Sequence, residues 1–374
     1  MTTLFGRQWT RKELLTYVGD ISQLGGVRLS TLADGPGRGV RAADVRTGGG
    51  LNFTVLLDRG MDIGPAEYRG IPLAWVSPTG PVAPAFYEPQ GSAWLRTFHG
   101  GLLTTCGLTQ AGVPNVDEVD GIREELGLHG RISHIPAHLR ACQDRWEGDD
   151  YLFWIEGQMR EVSVFGHDLR LTRRITAKLG QPRLTLEDRV ENMGHKPAPH
   201  MILYHCNLGF PLLGPASRLQ IPSMEVEPRD EIAAKGTKEH ATFEHPTPDY
   251  AEQCFFHRLR ADHEGFVTVQ LANPELGLVF QLRYRQRAHS GSQALPEFVQ
   301  WKQVGLGTYV LGLEPANCRP EGRAVARQRG TLVQLDPGET RTYFLEMTIL
   351  ADEPAGDRAG PKPSKEPGGP HDSA

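Results

Sequence analysis

The 374-residue chain is 39% hydrophobic and 23% charged, with a formal net charge of −5. That composition can bury a sizeable core; with no Lys/Arg-rich block, it lacks the electrostatic footprint of a nucleic-acid binder. No apolar run reaches the roughly 18 residues that span a bilayer, and Met1–Arg7 has neither the basic nor the apolar region of a signal peptide. Cysteines 106, 142, 206, 254 and 318 form no C-x-x-C pair and read as free thiols in a reducing compartment. The expectation is a cytoplasmic globular protein with no nucleic-acid or membrane partner.

Taken in order, Thr10–Tyr17 reads as one short helix with Thr10 as N-cap. Strand signals follow: Val27–Leu32, then Gly39–Arg46 and Leu51–Leu57 around a Gly48-Gly49-Gly50 hairpin signal. Leu51–Leu57 runs into a charged corner, Asp58-Arg59-Gly60-Met61-Asp62. Pro78–Gly91 reads as a long surface loop of the kind that carries function. From Tyr151 to Asn207 the pattern is a meander, with Asp188 breaking an otherwise half-buried strand. Phe266–Leu271 and Leu278–Arg283 read as a hairpin, and Asp336-Pro337-Gly338-Glu339 as a strong turn. Gly and Pro are spread throughout, which suits many short strands. One β domain over residues 1–351 is expected, with a disordered tail over 352–374.

The candidates for chemistry are a histidine and a carboxylate on separate strands. His205 lies in the apolar run Tyr204–Phe210, and Asn207 should share its strand face. Glu314 ends the run Tyr309–Leu313, where Pro315 is expected to stop the strand. Glu314 reads either as a buried partner of an arginine or as a general base whose pKa burial raises. Trp301 is either a platform for the apolar face of a sugar or plain core, and Lys302, which follows it, is a further candidate substrate contact. Asp58 reads as part of a salt-bridged turn, whereas Arg59 could present donors to substrate hydroxyls. His129, His134 and His138 cluster, but Pro136 opposes a helix that would align two of them, and the metal signal is weak. No phosphate loop or nucleophile elbow is present. No metal or other cofactor is expected.

Tyr204-His205-Cys206-Asn207-Leu208, Leu313-Glu314-Pro315, Leu128-His129-Gly130-Arg131 and Pro337-Gly338-Glu339 together resemble motifs of the aldose 1-epimerase (galactose mutarotase-like) superfamily, in the family's order. The resemblance covers nearly all of residues 20–350 and implies a large antiparallel β-sandwich. It implies Glu314 as general base and His205 as general acid in the interconversion of sugar anomers, with His129 and Arg131 in a substrate-binding segment. The family's usual Asn-Arg pair is replaced by Phe98–Gly107, which brings in His99 or Thr104 as substrate contacts. The partner implied is a small sugar, with homodimer formation left open. Carbon-centred epimerisation or isomerisation, and carbohydrate binding without catalysis, are the competing readings.

Overall fold

The computed structural model describes residues 1–288 and 294–351, so the tail expected to be disordered lies outside the described residues. Three antiparallel sheets carry the fold. An eight-stranded sheet runs from His138–Glu147 through Asp150–Val162, Asp168–Lys178, Arg183–Asn192, Thr340–Ala351, Leu278–Arg285 and Phe266–Asn273 to Arg218–Gln220. A seven-stranded sheet orders Ser223–Pro228, Gln253–Leu259, Glu297–Gly305, Thr308–Ala316, Ala198–Gly209 and Val333–Leu335, with Thr104–Leu108 also paired to Ala198–Gly209. A five-stranded sheet covers Gly26–Pro72. The long strands of the eight-stranded sheet alternate buried and half-buried residues, the pattern of a sheet with one wet face. Ala198–Gly209 is buried at every position, because both faces of that strand are covered.

The N-terminal helix forms at Arg11–Tyr17 with a full capping box between Thr10 and Glu13. Two further short helices, Glu231–Lys235 and Arg323–Gln328, correct the expectation of a single one. A hairpin of Thr2–Leu4 and Arg7–Trp9 precedes the first helix. Three residues per strand are too few for a periodic signal, and the left-handed Phe5-Gly6 pair makes the turn. The Gly48–Gly50 and Asn273–Glu275 turns join antiparallel neighbours as read. The Asp336–Glu339 turn instead passes the chain between sheets, since Val333–Leu335 pairs with Ala198–His200 and the next strand lies in the eight-stranded sheet.

Buried charge joins the three sheets. Arg173 binds Asp188 through Nε at 2.9 Å and Nη2 at 2.7 Å, and its Nη1 lies 3.3 Å from Asp62. Tyr204 donates to Asp188 at 2.8 Å, and Thr105 donates to Asp62 through its hydroxyl at 2.7 Å. Asp188, which broke the apolar pattern of its strand, is thus the anchor of this network. Among the described residues, no helix is long and apolar enough to cross a membrane.

Candidate active site

The site follows from strand alternation. Cys206 pairs with Leu313 and Asn207 with Gly312, so His205 stands directly across the ladder from Glu314. Thr104 faces His205 from the other edge, and Trp301 faces Gly312. Thr104, His205, Asn207, Gly312, Glu314 and Trp301 therefore share one face of the seven-stranded sheet. Tyr204, Cys206, Leu311 and Leu313 take the opposite face and join the main core. Pro315 does not stop its strand, which continues to Ala316. The ladder to Ala198–Gly209 registers at Leu203 and Ala316, lapses at Pro315, and resumes at Cys206 and Leu313. Proline has no N–H to donate there, so the backbone pairing is locally released around the His–Glu pair.

His205 Nε2 lies 3.2 Å from Glu314 Oε1, and the two residues are 6% and 3% exposed. Burial pushes the Glu314 carboxyl up to about 8, with Glu252 adding to the rise and Arg229 opposing it. Burial, reinforced by neighbouring His129, pulls His205 down to about 3. Among the described residues Glu314 forms no ion pair with an arginine; its carboxyl faces the His205 imidazole instead. Gly312 makes room for this contact, since a Cβ there would sit 2.7 Å from Glu314 Oε1 and 3.2 Å from His205 Cε1.

Aromatic rings cover the pair. Trp301 stands 5.4 Å from the His205 ring and Phe98 5.5 Å, with Trp75 6.2 Å from Trp301 and Trp94 stacked on Phe98 at 4.5 Å. His129 is 6.1 Å from His205 and 4.8 Å from Trp94, and burial lowers it to about 4. The sequence did not mark Trp75 and Trp94, and it named Phe98 only as the start of the segment replacing the Asn-Arg pair; the aromatic residues scattered through its Pro/Gly-rich loops were the available signal.

The other sequence candidates divide. Asn207 is fully buried, donating to the Gly101 and His205 carbonyls at 3.1 and 2.9 Å, with Oδ1 unpartnered. His99 is buried with both ring nitrogens unpartnered, its Nε2 turned back against Gly101. Thr104 donates to the Gly100 carbonyl. Arg59 does not offer its donors to a ligand. It is fully buried and binds the carbonyls of Ser133, Val82 and Thr97, each at 2.8 Å, so it pins the loops that carry Trp94 and Phe98. Lys302 points away from the pair, because it follows Trp301 on the strand and alternation puts it on the other face; its Nζ meets Glu244 at 2.8 Å. Arg131 lines a separate polar cavity of about 300 Å³ with Tyr87, Gln110, Glu161 and His167, and that cavity does not include His205 or Glu314. Asp58 is the ion-paired turn expected, bound by Arg41. Of the histidine cluster, His134 is engaged by Thr97 and Arg59, and His138 opens an edge strand. Among the described residues, no three His, Cys, Asp or Glu side chains converge as a metal would require.

This architecture is that of the aldose 1-epimerase (galactose mutarotase-like) superfamily. The chain resembles a "putative aldose 1-epimerase" from Klebsiella pneumoniae with 25% identity and a TM-score of 0.79, over 87% of this chain and 83% of that one. It shares its fold with a galactose mutarotase-like protein from Clostridium acetobutylicum (12% identity, TM-score 0.63, 88% and 100% covered). The same holds for galactose 1-epimerase from Lactobacillus acidophilus (12% identity, TM-score 0.55, 87% and 99% covered). Residues 37–349 match the family described as "Domain of unknown function (DUF4432)", and the chain belongs to that family. No curated protein matches the sequence.

Proposed function

We propose that the protein interconverts sugar anomers by paired proton transfer between Glu314, His205 and the substrate oxygens. The observation that carries this reading is the direct 3.2 Å contact between an imidazole and a carboxyl, opposed across one ladder and walled by aromatic rings. Such a pair holds one proton over a wide pH range and can present it from either side. From the tautomer in which the shared proton sits on His205, Glu314 as carboxylate takes the proton of the anomeric hydroxyl while His205 as imidazolium protonates the ring oxygen. The ring opens, the carbonyl carbon rotates, and closure on the other face reverses both transfers. Trp301 and Phe98 offer flat apolar surface to the sugar face, and the barrier in water is modest enough for positioning to supply much of the acceleration. The similarity to the Klebsiella pneumoniae protein supports the same reading.

The pH dependence follows from the shared proton. It is lost as pH rises through about 8, the Glu314 value, and a second proton arrives only toward about 3, the His205 value. The rate should therefore hold across neutral pH and fall above about 8. The test is NMR exchange spectroscopy of anomers in deuterated buffer, over free and phosphorylated aldoses and ketoses, with wild type beside Glu314→Gln. Faster exchange that drops by about 10²-fold or more in the variant is expected. No acceleration of any sugar would remove the reading. Deuterium entering a C–H position would then point to carbon-centred chemistry, and its absence to binding alone.

A further inference from the structure

An ion pair at the rim of the site has no part in the proton transfers described above. Arg229 Nη2 lies 3.0 Å from Glu252 Oε1, while Nε donates to Asp230 at 2.8 Å and Nη1 to the Cys254 sulfur at 2.9 Å. The other Glu252 oxygen accepts the Trp301 indole N–H at 2.8 Å. Cys254 is the ladder partner of Trp301, so Arg229 and Glu252 grip the same pair of positions from outside. Both charged side chains are more than a third exposed, and an ion pair of that kind contributes little to stability. What it does fix is the ring standing against His205.

We propose that Glu252, held by Arg229, is a positioning residue for the His205–Glu314 pair: it anchors the Trp301 indole beside the imidazole and sets the charge that Glu314 faces. The consequence for catalysis rests on the proton-transfer reading; the physical effect does not. The titratable groups around Glu314 are His205 across the ladder, with His129 behind it, the thiols of Cys106 and Cys254 on the same sheet face and of Cys206 on the opposite one, and the rim charges Glu252 and Arg229. Burial pushes all three thiols up and keeps them neutral, so the rim pair supplies the nearby formal charge. Its two members act on Glu314 in opposite directions, Glu252 raising its proton affinity and Arg229 lowering it.

The test is a pH titration of the His205 ring by NMR on protein carrying ¹³C-labelled histidine, with no sugar present and the signal assigned by its loss in His205→Gln. Glu252→Gln keeps an oxygen for the indole but removes the charge, and should lower the upper midpoint by roughly 0.5–1 unit. Arg229→Met should raise it by a similar amount. Glu252→Leu should shift the Trp301 indole N–H resonance, which Glu252→Gln retains. Midpoints unchanged in both variants, or moving the same way, would overturn the proposal. A wild type that accelerates no sugar while the midpoints still diverge would remove the mutarotase reading and leave the rim pair's role intact.

Discussion

Glu314 is held in a protonation state that its surroundings impose at a cost to the fold. An ordinary carboxyl ionises near 4.5 in the unfolded chain, but burial in the folded protein moves this one up to about 8. A raised folded value gives a stabilising contribution that is fully present below about pH 4.5 and is lost as pH rises through 8. Gln cannot ionise, so Glu314→Gln should unfold at higher urea than wild type at pH 8, by about 1–3 kcal/mol, with the gap closing toward pH 5. Equal stabilities at both pH values would show that the carboxyl is not desolvated in solution. The same substitution that removes the proposed base thus makes the protein more robust, as expected where function requires an uncomfortable group.

At the scale of elements, the strand carrying His205 is fixed from behind by charge. Tyr204, the neighbouring residue on the opposite face, donates to Asp188, which Arg173 binds with two nitrogens while also reaching Asp62. Each of these side chains is fully buried. Removing Arg173 takes the ion-pair partner from two buried carboxyls, leaving only the charge of Arg59 to act on Asp62, and burial already pushes Asp62 up to about 6 despite both arginines. Arg173→Met should therefore cost about 3–5 kcal/mol in urea unfolding. A loss below about 1 kcal/mol, the range of an exposed pair, would show that the network does not bind the sheets together.

For the whole molecule, acid should be the weak side. Burial pulls His129 down to about 4 and His200, His205 and His257 to about 3. These lowered folded values mean that the stabilisation is present above the unfolded value near 6.5 and disappears as pH falls toward the folded values. His99 and His134 are lowered by burial as well, so six rings take up protons on unfolding while Glu314 and Asp62 each release one, and the unfolded chain binds up to about four more protons than the folded one. Stability should fall by up to about 5 kcal/mol per pH unit between pH 6 and pH 4. Urea midpoints across that range, with proton uptake measured on unfolding, check the slope.

Much of the architecture is local and was legible in the sequence. Strand alternation, the Gly48–Gly50 and Asn273–Glu275 turns and the Thr10 N-cap each need only neighbouring residues, and the fold has all of them. His205 and Glu314 stood out because a polar group inside an apolar run is conspicuous on its own strand. Register decided the rest. That His205 faces Glu314 across a ladder, with Gly312 cleared for them, depends on strands far apart in the chain becoming neighbours. Arg59 and Lys302 looked like donors for a ligand, but a side chain's free valences depend on what packs over it: three loop carbonyls claim Arg59, and alternation carries Lys302 to the far face. The aromatic cover of Trp75, Trp94 and Phe98 comes from loops without periodicity, so only tertiary packing could bring it over the pair.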